Sequence, residues 1–158
     1  RAWTTLLAHG EGKEFQSALT GADQPAGGDR YAFQAQAAGP DAATKQRYFA
    51  AYGERDQIPE QWISRSLASF HWPGQSKQTL PYLATALERV DWVKANRRIF
   101  FMPTWLTSFI QAHSTQAALD VVDEFLRQRQ DLSIDIRRKI LQARDGLVRT
   151  VRIRTRFQ

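Results

Sequence analysis

The sequence predicts an all-α fold of stacked antiparallel helical hairpins, of the HEAT/armadillo-like α-α superhelix type. Apolar residues recur at helical spacing almost throughout, and no stretch shows a sustained alternation of apolar and polar residues. Helix-start signals return about every 18 residues, so a two-helix unit repeats at about 36, near the range of HEAT and tetratricopeptide arrays. Because a single hairpin cannot bury its apolar faces, each hairpin is expected to pack on the next.

The first 40 residues are expected to form a partial helix, a loop and a short helix. Trp3 and Leu7 belong to the partial helix, and the glycine-rich residues 10–28 predict a loop with a short helix at 15–19. Residues 31–38 favour one more helix. We expect residues 1–158 to form a single helical-repeat domain that is the C-terminal part of a larger superhelical domain.

Residues 41–158 are expected to form three helical hairpins joined by short connections. The start signals are Asp41, Pro59, Thr79 before Pro81, Ser114 and Ser133. They place helix starts near residues 41, 59, 79, 97, 115 and 133. Gly53 and the segment 71–74, His-Trp-Pro-Gly, predict the ends of the first two helices.

Six sets of apolar residues at helical spacing define the expected core. They are Tyr48, Phe49 and Tyr52; Trp62, Ile63, Leu67 and Phe70; Leu80, Leu83, Leu87 and Val90; Ile99, Met102, Leu106 and Phe109; Ala118, Val122 and Phe125; and Ile136, Ile140, Ala143, Leu147 and Val151.

The sequence offers no catalytic, cofactor-binding or metal-binding residues. It has no cysteine, which excludes disulfides, thiolate zinc sites and cysteine nucleophiles. His9, His71 and His113 are far apart, without a second ligand at i+3 or i+4, and no glycine pattern forms a phosphate loop. We therefore expect this chain alone not to be an enzyme and to carry no cofactor.

Two further properties bear on the surroundings of the chain. No apolar run approaches the roughly 20 residues of a membrane span, so no membrane partner is expected. The absence of cysteine removes the evidence that would favour secretion, which slightly favours a cytoplasmic location without fixing the compartment.

The net charge of +6 is concentrated near the C-terminus. Residues 137–156 contain eight basic side chains and one acid, so the rest of the chain is close to neutral. Arginines on the outer face of a last helix, which favour the helix dipole, explain much of this charge. No nucleic-acid recognition motif accompanies them, so nucleic acid is an unlikely partner.

The segment 96–105, Asn-Arg-Arg-Ile-Phe-Phe-Met-Pro-Thr-Trp, is the most unusual one. It is typical of a helix start or kink that packs Phe100, Phe101 and Trp105 into the core. The functional interpretation is that Arg97 or Arg98 faces a groove and binds a carboxylate. The candidate residues for contact with a substrate or another domain are Arg97, Arg98, Phe101 and Trp105.

Several stretches also resemble a known family. They are Gly-Pro-Asp-Ala-Ala-Thr-Lys at 39–45, Ser-Leu-Ala-Ser-Phe-His-Trp-Pro at 66–73, Leu-Pro-Tyr-Leu at 80–83, Asn-Arg-Arg-Ile-Phe-Phe at 96–101, Arg-Lys-Ile-Leu-Gln-Ala-Arg-Asp-Gly-Leu at 138–147 and Arg-Thr-Val-Arg-Ile-Arg at 149–154. In this order they resemble the C-terminal helical domain, with HEAT-like repeats, of the aminopeptidase N family of zinc metalloaminopeptidases. Met102-Pro103 departs from the family pattern, where a non-proline residue is expected.

The resemblance implies a non-catalytic C-terminal domain that caps a catalytic cleft and controls peptide access for removal of N-terminal amino acids. It implies that zinc lies in the catalytic domain, outside this chain. The implied partners are the catalytic domain of the same polypeptide and peptide substrates. The alternative is a free-standing helical-repeat scaffold that binds a protein or nucleic acid through its basic end.

Overall fold

The chain is all-α, as predicted. The computed structural model describes residues 2–15, 17–18, 27–55 and 57–157, and these contain no β-strand. Their bounded helices are α1 (Ala2–Ala8), a 3-10 helix (Lys13–Phe15), α2 (Gly28–Gln36), α3 (Ala42–Tyr52), α4 (Glu60–Phe70), α5 (Ser76–Thr79), α6 (Pro81–Glu88), α7 (Val90–Asn96), α8 (Phe101–Gln111), α9 (Gln116–Gln128) and α10 (Ile134–Arg156). The short helix expected at 15–19 lies partly outside the described residues.

The chain divides into two compact units, Arg1–Thr79 and Leu80–Gln158. In the first unit α2 packs against α1 and α4, and α3 packs against α4 and α5. In the second unit α8 packs against α10, α6 against α9, and the pairs α6/α8 and α9/α10 also contact each other. Helices α6, α8, α9 and α10 of the second unit therefore pack against one another, and α7 contacts α6 and α8. The single domain of three hairpins expected from the sequence stays a prediction.

Helix α3 begins and ends where the sequence signals place it. Asp41 accepts hydrogen bonds from the Thr44 backbone N–H (2.8 Å) and from the Thr44 hydroxyl (2.9 Å), which satisfies a donor of the first turn. The helix ends at Tyr52, and Gly53 is its C-terminal cap. The stripe of Tyr48, Phe49 and Tyr52 is buried, as expected.

A buried lysine joins the ends of two helices in the first unit. The ammonium of Lys45 donates to the backbone carbonyls of Ala37 (3.0 Å) and Phe70 (2.7 Å), which lie at the C-terminal ends of α2 and α4. The side chain is fully buried, and this burial lowers the pKa of Lys45 to about 8. Carbonyls at helix C-termini carry partial negative charge, so they are suitable acceptors for a cation. Sequence periodicity alone predicts a lysine on the surface at this position.

The turn after α4 supplies a second buried link. Gly74 has φ +88°, a left-handed conformation that glycine adopts without steric cost. The next residue, Gln75, donates its amide to the carbonyls of Ala8 and Ala38, both at 2.9 Å. The segment that the sequence marks as a helix stop therefore also ties α4 to the ends of α1 and α2.

The start of α8 corrects the sequence prediction. A helix was expected from residue 97, but α7 ends at Asn96 and α8 begins at Phe101. Pro103 has no N–H and is tolerated only in the first turn of a helix, which fixes the start of α8 within a few residues of it. Ile99 and Phe100 consequently lie in the connecting turn, 79% and 85% exposed, and the prediction that they pack in the core was wrong.

Two smaller boundaries also differ from the sequence prediction. Val90 is buried, but it begins a new helix, because the chain leaves helical geometry at Arg89. The N-cap of α9 is Thr115 rather than Ser114, and its hydroxyl accepts from the Ala118 N–H at 3.3 Å. Both are shifts within a helical segment that the periodicity did identify.

Candidate functional site

The second unit contains a cavity of about 350 Å³ at one end of its helices, here called the α7–α10 pocket. It lies among the end of α7, the turn before α8, and the first turns of α8 and α10. Its lining residues are Val93, Lys94, Arg97, Arg98, Ile99, Met102, Asp135, Ile136 and Lys139. Both candidate arginines from the sequence, Arg97 and Arg98, therefore line one concave surface.

Most of the charged side chains that line the pocket are basic. They comprise four cations and one carboxylate. Asp135 pairs with Lys94 at 3.0 Å and with Lys139 at 3.8 Å. Hydrogen bonds from the Ser133 hydroxyl and from Lys94 hold the pKa of Asp135 well below its usual range. Asp135 is therefore an anion at neutral pH, and it holds two of the cations at the pocket wall.

Arg97 is positioned by two aromatic rings. Its guanidinium lies 5.3 Å from the centroid of the Trp92 ring and 5.7 Å from that of Phe101. The chain leaves α7 at Asn96, whose amide donates to the Trp92 carbonyl at 2.9 Å, and Arg97 takes extended backbone. Cation–π contact restricts the guanidinium, while its N–H donors remain in the plane of the group. Arg98, next in the chain, is exposed.

Phe101 and Trp105 lie in the core of the second unit. Both are almost fully buried, and the indole N–H of Trp105 donates to the Ala86 carbonyl at 3.0 Å. The Trp105 ring centroid lies 4.4 Å from that of Phe109. Their proposed contact with a substrate or another domain stays a prediction. The burial gives Phe101 a supporting position behind Arg97 rather than a place at the surface.

Large apolar side chains are exposed beside the pocket. Ile99, at the mouth, is 79% exposed, and its neighbour Phe100 is 85% exposed. Ile134 precedes Asp135 at the start of α10 and is 66% exposed. The buried side chains of Val93, Met102 and Ile136 form the apolar floor. The surface thus combines basic side chains with exposed apolar ones.

The first unit has a smaller cavity of about 270 Å³. Its lining residues are Phe33, Gln36, Arg47, Tyr48, Ala51 and Ile58. The guanidinium of Arg47 lies 5.4 Å from the Tyr48 ring centroid, and the Tyr48 hydroxyl donates to the Phe33 carbonyl at 2.6 Å. With a single charged residue, this cavity has fewer groups that could orient a ligand than the α7–α10 pocket.

Several cations of the basic C-terminal segment are used inside the second unit. Arg137 donates to the carbonyls of Leu126 (3.2 Å) and Arg129 (3.1 Å). Arg144 forms a two-point ion pair with Asp123, which lowers the pKa of that carboxyl. These pairs tie α10 to α9, so part of the charge excess has a structural use.

In the part of the chain that the structure describes, no group of three His, Asp or Glu side chains could hold a metal ion. His113 is buried, and burial lowers its pKa to about 4, so its imidazole is neutral at pH 7. Among the same residues, no helix combines the length and apolar character needed to cross a membrane.

Sequence reasoning found the two arginines of the pocket but missed Lys94, Asp135 and Lys139. Asp135 and Lys94 are 41 positions apart in the chain, and they become neighbours because α7 and α10 both pack against α8. A local signal existed, because Ser133 and Asp135 mark the first turn of a long helix, where negative charge is favoured. That signal does not indicate which cation pairs with the carboxylate of Asp135.

A family model described as the ERAP1-like C-terminal domain matches residues 1–149. A search of curated proteins finds no match to the sequence. The matched range includes the α7–α10 pocket and nearly the whole chain.

Proposed function

The chain belongs to the family of ERAP1-like C-terminal domains, and from this premise we propose that it is the C-terminal domain of a zinc-dependent aminopeptidase that caps the catalytic cleft. In this role it limits the access of peptides whose N-terminal residues are removed. The residues of this chain do not themselves cleave peptide bonds. The family match over residues 1–149 is the observation that carries the proposal.

The side chains of the α7–α10 pocket fit a role in contacting a partner. The α7–α10 pocket places Arg97 and Arg98 on one concave surface that four basic side chains line, and guanidinium groups are suited to bind carboxylates. The proposed partners of this surface are peptide substrates and the catalytic domain of the same polypeptide. An access role needs a rigid wall, and the buried core under Arg97, formed by Phe101 and Trp105, provides one.

The proposal assigns zinc to another part of the parent polypeptide and not to this chain. The described residues supply no set of three metal ligands, so this chain does not fit the ion and no zinc-dependent step is assigned to it. In the proposed parent enzyme the ion would be bound by the catalytic domain. Zinc there would polarise the scissile carbonyl and activate water.

The proposal is tested with two substrates of different length in the parent polypeptide. Arg98→Glu, which reverses the charge of an exposed pocket residue, is expected to change kcat/KM for a ten-residue peptide at least threefold. It is expected to leave kcat/KM for an aminoacyl p-nitroanilide unchanged. Arg138→Glu, an exposed charge reversal on α10 outside the pocket, is the matched control and should affect neither substrate.

The purified chain provides the complementary assay. With zinc added, it is expected to show no hydrolysis of aminoacyl p-nitroanilides. Hydrolysis by the chain that a chelator abolishes would refute the non-catalytic assignment. Equal effects of the two charge reversals on the long peptide would refute the access role of the pocket.

A further inference from the structure

We infer that the last turns of α10 dock an acidic amphipathic helix of a protein partner. The surface, here called the α10 basic end, consists of four arginines and two apolar residues: Arg149, Arg152, Ile153, Arg154, Arg156 and Phe157. Carboxylates of the partner pair with the arginines, and its apolar side chains cover Ile153 and Phe157. The inference goes beyond the proposed function and does not rest on it, because all of these residues except Arg149 lie outside the family match.

The α10 basic end is exposed and contains an apolar strip. Val151 is the last buried residue of α10, and every residue from 152 to 157 is exposed. Ile153 is 59% exposed and Phe157 is 83% exposed. Phe157 directly follows the helix, and its N–H donates to the Arg154 carbonyl at 3.3 Å, which keeps it close to the last turn. Because residues four positions apart are neighbours on a helix surface, Ile153 and Phe157 form one strip.

The four arginines of the α10 basic end form no ion pair within the part of the chain that the structure describes. Earlier cations of the same helix have partners inside the second unit. Arg144 pairs with Asp123, and Arg137 donates to carbonyls near the end of α9. The positive charge of α10 therefore has a structural use in its earlier turns and is available to a partner in its last turns.

The helix dipole offsets only a small part of this charge. The C-terminus of a helix carries about half an elementary negative charge, against four guanidinium groups. The one acid between residues 144 and 158 is Asp145, four positions before Arg149. An excess of about 2.5 positive charges remains when both are counted. This excess is complemented by a partner that presents several carboxylates.

The spacing of the arginines indicates that the partner is helical. Arg149, Arg152 and Arg156 are three and four positions apart, so they form one row along the helix, about 10 Å long. Glutamates at the same steps on a second helix match this row, and a guanidinium binds a carboxylate through two parallel hydrogen bonds. Leucines beside those glutamates then reach the apolar strip, since packed helices lie about 8–10 Å apart.

The apolar strip favours a protein over a nucleic acid or a membrane. Contacts to phosphates use the cations and leave Ile153 and Phe157 in water. A helix that binds at a membrane surface has an apolar face along its length, whereas α10 has the exposed polar residues Gln142 and Asp145 in the turns before this end. Protein interfaces are enriched in both arginine and aromatic side chains.

Three synthetic peptides with blocked termini test the inference by isothermal titration calorimetry with the full chain. Each has about 18 residues, which is long enough to populate a helix in water. The first carries a leucine stripe flanked by glutamates at steps of three and four, the second has glutamine for every glutamate, and the third has serine for every leucine. The first is expected to bind, the second at least tenfold more weakly and the third at least fivefold more weakly. Circular dichroism checks that the three peptides are equally helical.

Variants of the chain locate the contact. A triple variant of the α10 basic end is expected to bind the first peptide at least tenfold more weakly, and glutamine preserves the helix: Arg149→Gln, Arg152→Gln and Arg156→Gln. The control triple variant removes the same net charge at exposed positions elsewhere and should change affinity less than twofold: Arg65→Gln, Lys77→Gln and Arg138→Gln.

A second pair of variants tests the apolar strip. Ile153→Ser combined with Phe157→Ser is expected to lower affinity for the first peptide about fivefold. Ile134→Ser combined with Phe100→Ser, which removes two equally exposed side chains outside the α10 basic end, should leave affinity unchanged. Circular dichroism of each variant verifies that the helices are intact.

Absence of binding by the first peptide, or equal binding of the glutamine peptide, would overturn the inference. Equal losses in the two triple variants would do the same. Random duplex DNA or phosphatidylserine vesicles that bind more tightly than the first peptide, with binding lost in the α10 triple variant, would assign the surface to phosphates instead. None of these readouts involves hydrolysis, so the inference can fail while the proposed function stands.

Discussion

The guanidinium of Arg97 lies 5.3 Å from the ring centroid of Trp92, a residue of α7. The contact restricts the guanidinium at the wall of the α7–α10 pocket, because the face of an aromatic ring attracts a cation. The position of Trp92 is thus part of the proposed binding surface, although Trp92 is outside the set of pocket-lining residues.

Trp92→Leu tests this positioning directly. The substitution keeps an apolar side chain and the net charge but removes the aromatic ring, so Arg97 gains rotational freedom. In the parent polypeptide, kcat/KM for a ten-residue peptide should change at least threefold, while kcat/KM for an aminoacyl p-nitroanilide stays the same. Trp62→Leu, which removes another half-buried tryptophan in the first unit, is the control and should leave both values unchanged. Equal kcat/KM values for both variants would show that the ring does not position Arg97 for this contact.

Lys45→Met is expected to destabilise the first unit. The substitution preserves length and apolar character but leaves the carbonyls of Ala37 and Phe70 without their donor. Hydrogen bonds from a charged group contribute about 1.5–3 kcal/mol each, and the relief of lysine desolvation offsets part of that. We expect a net loss of about 2 kcal/mol in the free energy of unfolding, measured with urea at pH 7. Lys77→Met, at an exposed position in α5, should change it by less than about 0.5 kcal/mol.

The same lysine predicts a dependence of stability on alkaline pH. Burial lowers the pKa of Lys45 from 10.5 to about 8 in the folded chain, so the unfolded chain binds the proton more tightly. The contribution of Lys45 to stability is therefore complete above pH 10.5 and is lost as pH falls through 8. Between pH 8 and 10.5 the free energy of unfolding of the wild type should rise, relative to that of Lys45→Met, by at most about 3 kcal/mol. If the free energies of unfolding of the wild type and of Lys45→Met, measured with urea, differed by the same amount at both pH values, the assignment would be contradicted.

His113 predicts an acid limit for the second unit. Burial lowers its pKa from 6.5 to about 4, so the neutral imidazole is the folded form. The corresponding stability is complete above pH 6.5 and is lost as pH falls through 4. Between pH 6.5 and pH 4 the free energy of unfolding of the wild type, measured with urea, should fall by up to about 3 kcal/mol relative to that of His113→Leu. His9→Leu, at an exposed position, is the control, and a parallel loss in both variants would assign the effect elsewhere.

The sequence predicted helices well where a cap and an apolar stripe coincide. Asp41 before α3 and the long stripe from Ile136 to Val151 in α10 are both found in the structure. Prediction failed where a turn interrupts a continuous apolar pattern. Ile99 continues the period of α8, but Pro103 stops the helix from reaching back to it, and the side chain is exposed. Periodicity records spacing, while the helix boundary depends on backbone hydrogen bonds.

The candidate site was predictable only in part. Arg97 and Arg98 stand out because two cations precede a dense aromatic run. Lys94 and Lys139 are ordinary surface lysines in the sequence, and only tertiary packing brings them to one carboxylate, Asp135. Lys45 shows the same limit, because a charged residue in a core depends on carbonyl acceptors that periodicity cannot locate.

The most direct test of the central claim, that this chain controls peptide access and does not cleave bonds, is a substrate-length comparison in the parent polypeptide. The kcat/KM ratio of a ten-residue peptide to an aminoacyl p-nitroanilide is measured with and without residues 1–158, and again after the separate chain is added back. The account predicts zinc-dependent hydrolysis of the p-nitroanilide in every case, a change in the ratio of at least fivefold on deletion, and its recovery on addition. A ratio that stays the same while the p-nitroanilide is still hydrolysed, or zinc-dependent hydrolysis that resides in residues 1–158, would contradict it.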